Sequence, residues 1–162
     1  MKSRIVFLDY DGVVNTYMWN ERGTKVSYNY PIDNKVNHFQ AVQWLSEFCL
    51  KYGFDIVVTS TWREEQNYKE CLINGGLRKG IEILGCTKSI EGKTRGDEVN
   101  AYLAEHPEIA DYIILDDIND FLPRQKNHLI LVNHHYGFQN PEYRECIDRF
   151  LKKKTRREPQ EE

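Results

Sequence analysis

Three short apolar runs, each stopping at polar residues, constrain this chain more than any other feature. Ile5-Val6-Phe7-Leu8 stops at Asp9, Phe54-Asp55-Ile56-Val57-Val58 at Thr59-Ser60-Thr61, and Tyr112-Ile113-Ile114-Leu115 at Asp116-Asp117. A further run, Leu129-Ile130-Leu131-Val132, follows. A continuous apolar run such as Ile5-Val6-Phe7-Leu8 fits a strand buried on both faces, as in a parallel sheet, and the other runs read as further strands. Stretches with helical spacing lie between them. Val36, Phe39, Val42, Leu45, Phe48, Cys49 and Tyr52 share a helix face, and Gly53 stands where a C-terminal cap belongs. Glu64 to Ile73 reads as a helix closed by Gly75-Gly76, and Ile81 to Leu84 as a short strand. Thr94 opens a helix with the Thr94-x-x-Asp97 spacing of a capping box, and Pro107 follows its end. Asn140-Pro141 opens the last helix, through Tyr143, Cys146, Ile147 and Phe150. Strands alternating with helices predict an α/β fold: a three-layer, open, mainly parallel sheet with helices on both faces.

The 162 residues suit one core, and 40% are hydrophobic, enough to pack it. Residues 1–154 are expected to form one domain, with a small flap inserted at about 12–35. Residues 155–162 form a charged tail expected to fray. Apolar runs never exceed four residues, which argues against a membrane span, and Asp9 cuts the N-terminal run too short for a signal peptide. Cys49, Cys71, Cys86 and Cys146 form no Cys-x-x-Cys pair. They read as small core residues, not a zinc site or disulfide scaffold, and the expected compartment is the cytoplasm. The net charge of −3 gives no global attraction to nucleic acid.

In an open α/β sheet the ligand site lies beyond the carboxyl ends of the strands. The residues there are Asp9 and Asp11, Thr59 and Ser60, and Asp116 and Asp117. Residues two apart leave a strand on the same side, so Asp9 and Asp11 can face one pocket, and Gly12 lets the chain turn away. Clustered carboxylates do not all stay ionised without a cation. Mg²⁺ suits them, as a hard ion bound by oxygen. Arg63 follows the second run closely; it can grip a phosphate with two N–H groups or pair with an acidic residue. Asp120 reads as a charge at a helix N-terminus.

The segment Phe7-Leu8-Asp9-Tyr10-Asp11-Gly12-Val13 resembles the first motif of the haloacid-dehalogenase (HAD) superfamily. Val57-Val58-Thr59-Ser60 resembles its second motif, Lys93 or Arg95 meets the third, and Ile113-Ile114-Leu115-Asp116-Asp117 resembles the fourth. Thr59-Ser60-Thr61-Trp62-Arg63 and Thr94-Arg95-Gly96-Asp97-Glu98-Val99 look closest to small HAD phosphatases of polynucleotide and RNA repair. The resemblance implies a Mg²⁺-dependent phosphomonoester hydrolase with an aspartyl-phosphate intermediate. Asp9 would be the nucleophile and Asp11 the general acid and base. Asp9, the Asp11 main-chain carbonyl and Asp116 would bind the metal, with Asp117 on a metal water or orienting its neighbours. Thr59 or Ser60 would bind a phosphoryl oxygen, and Lys93 or Arg95 would cancel its charge.

The gaps after Asp11 and after Arg63 are too short for a cap domain, so the site is expected to be open. That admits nucleic-acid ends, nucleotides or phosphoproteins as substrates. Tyr17, Trp19, Tyr28 and Tyr30, with Arg22 and Lys25, offer either a stacking platform for single strands or a self-packed flap. A phosphotransferase or phosphomutase would use the same residues. A receiver domain would place the acidic pair on the first strand and the phosphorylated Asp on a middle one, the reverse of the order here. A non-catalytic relative would be expected to lose Mg²⁺ binding.

Overall fold

The computed structural model describes residues 3–15, 17–19, 25–27, 39–64, 67–134, 137–138 and 140–155. Among these, strand β1 (Ser3–Leu8) is followed by the short pair β2 (Tyr17–Trp19) and β3 (Lys25–Ser27), then helix α1 (Phe39–Tyr52) and β4 (Asp55–Val58). Helix α2 (Tyr68–Asn74), β5 (Ile83–Cys86), α3 (Arg95–Glu105), β6 (Ile109–Asp116), β7 (Leu129–Leu131) and α4 (Pro141–Thr155) complete the order. The main sheet runs β5-β4-β1-β6-β7, and every pairing in it is parallel. β2 and β3 form a separate antiparallel pair within the expected flap region.

Alternation along β1 builds the three layers. Val6 and Leu8 join a core with Val42 and Leu45 of α1, Leu72 of α2 and Ile147 and Leu151 of α4. Ile5 and Phe7 point the other way, into a core with Val99 of α3 and Phe121. Both faces are apolar, so the strand reads as an unbroken run.

The structure departs from sequence expectations in three elements. The helix expected from Glu64 to Ile73 is a 3₁₀ turn at Thr61–Glu64, and α2 begins only at Tyr68. The Arg63 side chain folds back onto the Thr59 carbonyl, so the chain turns tightly before a helix can start. β5 lies two residues later than expected, because pairing with β4 sets Val58 against Cys86. β6 starts earlier, at Ile109, because it pairs along the whole of β1. Cys49 and Cys71 are buried as expected, but Cys146 is exposed on α4.

Helix α3 begins as the capping box required. Thr94 Oγ1 accepts from Asp97 N at 3.2 Å, and the Asp97 carboxylate accepts from Thr94 N at 3.0 Å. The helix start is also pressed against the loop after β6. A Cβ on Gly96 would lie 2.6 Å from Gln125 Oε1 and 2.8 Å from both Leu122 N and Phe121 Cα. Gly96→Ala is therefore expected to cost about 1–3 kcal/mol, as overpacking does. A urea midpoint equal to wild type would contradict this close approach.

Candidate active site

Register brings the strand ends to one level. Leu8 of β1 stands opposite both Val58 of β4 and Leu115 of β6. The next residues are Asp9, Thr59 and Asp116. Thr59 N donates to Leu8 O at 2.9 Å and Asp9 N to Leu115 O at 3.0 Å, so the backbone ladder holds them side by side.

Asp9, Asp116 and Asp117 each offer a carboxylate oxygen within 4.8 Å of the others. Asp9 and Asp116 are buried. Burial pushes the Asp9 carboxyl well above its usual range; Asp116 and Asp117 push it further, and Arg95 offsets only part. Burial raises Asp116 as well, with Arg95 pulling against it. Arg95 Nη1 lies 3.2 Å from Asp9 Oδ1 and 2.7 Å from Asp116 Oδ2. Burial draws the guanidinium down, but the two carboxylates outweigh it and hold Arg95 above its usual value. Were all three acids ionised, the Arg95 guanidinium would leave two negative charges, which a hard dication would balance. The donors are all oxygen, the chemistry such an ion takes.

The turn after Asp9 makes room for this cluster. Gly12 has φ +85°, and a Cβ there would sit 2.4 Å from Asp117 Oδ2. Tyr10, between Asp9 and Asp11, points into the core and donates its hydroxyl to Tyr68 O at 2.6 Å. The Asp11 carboxylate lies outside the three-acid group, in keeping with the expectation that Asp11 would meet a metal through its main-chain carbonyl and not its side chain. Its Oδ2 accepts from Trp62 Nε1 at 2.9 Å and its Oδ1 from Asn15 Nδ2 at 3.3 Å.

Among the described residues, Thr59 Oγ1 is buried with no hydrogen-bond partner. An orphaned hydroxyl at a strand end is costly unless a ligand oxygen completes it. Ser60 is buried too, but its Oγ already accepts from Trp62 N at 3.3 Å. Of the two cations before β6, Arg95 reaches the acids, while Lys93 is exposed in the turn that precedes α3. Arg63 does not line the site. Its Nη2 meets Glu98 Oε2 at 2.8 Å, and both side chains are only 7% exposed. Nη1 donates to Thr59 O and to Thr87 Oγ1. Of the two expected roles, the structure shows the pairing with an acidic residue. Asp120 serves a helix N-terminus: Oδ2 accepts from Arg95 N at 3.3 Å, and its carbonyl accepts from Gly96 N at 3.0 Å. The flap residues Arg22, Tyr28 and Tyr30 and the side chains of Tyr17, Trp19 and Lys25 lie outside the described residues, as do His135 and residues 156–162.

Residues 5–143 match the family of HAD domains in Swiss Army Knife RNA repair proteins. The chain belongs to that family. No curated protein matches it. Among solved structures it is similar to a hypothetical protein from Xanthomonas campestris, with 11% identity, TM-score 0.38, 94% of this chain and 88% of that chain covered. It is also similar to 3-deoxy-D-manno-octulosonate 8-phosphate phosphatase from Moraxella catarrhalis, a complex with magnesium ion, phosphate ion and KDO. That match has 14% identity, TM-score 0.35, and covers 94% of this chain and 86% of that one. The parallel β5-β4-β1-β6-β7 order is the α/β architecture of a HAD domain. No helix among the described residues is long and apolar enough to cross a membrane.

Sequence reasoning gave no role to Trp62 and Asn15, which hold Asp11, or to Glu98, which holds Arg63 beneath the site. Trp62 had a signal, its place directly after Thr59-Ser60-Thr61. Asn15 and Glu98 had none, since each matters through a partner distant in sequence or around a turn.

Proposed function

We propose that this HAD domain is a Mg²⁺-dependent phosphomonoester hydrolase whose substrates are nucleic-acid ends. The observation that carries it is the strand-end register, which sets Asp9, Asp116 and the orphaned Thr59 Oγ1 at one level, with Arg95 on the two acids. Asp9 attacks phosphorus; a P–O bond forms to its carboxylate and the ester P–O bond breaks. Asp11 gives a proton to the departing oxygen, then takes one from the water that hydrolyses the aspartyl-phosphate. Thr59 Oγ1 donates to a phosphoryl oxygen, and Arg95 meets its charge. Asp9, Asp116 and Asp117, with the Asp11 main-chain carbonyl, would hold Mg²⁺. Bound Mg²⁺ supplies the positive charge that lets Asp9 and Asp116 ionise together and neutralises phosphoryl oxygens. The family description, RNA repair, supports the choice of a nucleic-acid end.

The test is phosphate release, with and without Mg²⁺, from four substrates: a 3′-phosphorylated oligonucleotide, nucleoside monophosphates, a phosphopeptide and an aryl phosphate. The expected result is Mg²⁺-dependent release, fastest from the oligonucleotide. Faster release from the phosphopeptide or the mononucleotides would overturn the nucleic-acid assignment. Release from none would overturn the hydrolase.

A further inference from the structure

Asp11 faces a choice that Asp9 does not. A carboxylate two residues from a metal-binding carboxylate either joins the cation or stays free to move a proton. In this site both Asp11 oxygens are engaged away from the acidic group, one by the Asn15 amide and one by the Trp62 indole. The indole N–H takes one lone pair of Asp11 Oδ2 and fixes that oxygen in place, and the carboxylate has further lone pairs with which to carry a proton.

Trp62 is itself well held. It comes from the turn after β4, 51 residues from Asp11 in sequence. Its ring meets Tyr10 edge-on with centroids 5.8 Å apart and packs against the core beneath α1 and α2. Its backbone N–H donates to Ser60 Oγ. The next residue, Arg63, is tied to the buried Glu98. A bulky ring with two torsions, braced on three sides, fixes the donor atom in space.

We infer that Trp62 positions Asp11 for proton transfer, its indole N–H holding the carboxylate clear of the cation and aimed at the leaving oxygen. This rests on the hydrolase reading above. Trp62 is a positioning residue; the proton moves on Asp11.

The test compares Trp62→Phe with wild type on esters of unequal leaving groups. A nitrophenolate leaves with little help from an acid, whereas the alcohol of a 3′-phosphorylated oligonucleotide or an alkyl phosphate needs its proton. Trp62→Phe is expected to lower kcat by about 10–100-fold on the alkyl substrates, and far less on nitrophenyl phosphate, with KM moving less than kcat. An equal loss on every substrate, or no loss, overturns the inference. A second measurement needs no turnover. In the wild-type protein the Trp62 indole proton, assigned by its disappearance in Trp62→Phe, should shift upfield in Asp11→Ala. An unmoved resonance overturns the contact. If wild type hydrolyses none of these esters, the hydrolase reading fails and this inference with it. If wild type is active and the variant falls evenly, only the role of Trp62 fails.

Discussion

Asp9→Asn is expected to lose phosphate release by about 10⁴-fold or more, the scale seen when a nucleophile is removed. The metal-free variant should nonetheless melt higher than wild type. Burial and the two neighbouring carboxylates hold the Asp9 carboxyl well above its usual value, so its ionised form works against the fold. A raised carboxyl means the folded state binds its proton more tightly than the unfolded chain does. Metal-free stability therefore falls as pH rises from the usual carboxylate range toward the raised value. Asn has no such proton, and Arg95 keeps its contact with Asp116. The gain is on the order of 1 kcal/mol, or about 2–4 °C for a chain this size. Melting curves without metal from pH 5 to pH 8 should diverge, with the variant ahead at the high end. A variant that melts below wild type at pH 8 would mean that the Asp9–Arg95 pair outweighs the cost of burial.

The second large effect concerns stability. Arg63→Ala leaves Glu98 charged, buried and without its partner, and frees the Thr59 carbonyl and Thr87 hydroxyl. Breaking one side of a buried pair costs about 3–5 kcal/mol, which lowers the melting temperature by roughly 6–20 °C here. Lysine should not rescue it, because one ammonium does not span the three acceptors that two guanidinium nitrogens reach. Replacing both partners, Arg63→Met with Glu98→Leu, should recover part of the loss, since no lone charge is left buried. A single variant within 1 kcal/mol of wild type would show that water reaches Glu98 freely. Activity should fall with stability, since this pair fixes the turn carrying Thr59 and Trp62.

The sheet was legible because its chemistry is periodic and local. Ile5 to Leu8 and Ile113 to Leu115 are apolar on both faces, and a run like that has few alternatives to a central parallel strand. The start of α3 was legible for a similar reason: the Thr94 cap and its Asp97 partner lie within one turn. Arg63 was not, because its two possible partners, a phosphate and a buried acid, favour the same guanidinium. Only the fold shows Glu98 beside it. The choice of Arg95 over Lys93 was hidden in the same way. Both lie in one polar segment, and the docking of Gly96 against Phe121 and Leu122 decides which side chain faces the acids. The helix expected from Glu64 failed where a side-chain contact overrode propensity.

The strand order also has a consequence for biosynthesis. β1 is made before β4 and β6, yet it is completed on one side by β4 and on the other by β6, so Asp9 and Asp116 meet only after β6 has left the ribosome. A nascent fragment that stops short of β6 carries the Asp9 carboxylate and the Thr59 turn, but lacks both Asp116 and the ladder that levels them. Such contacts between distant segments form late and slowly. The acidic group at the strand ends is thus assembled only by the closing of the sheet around β1.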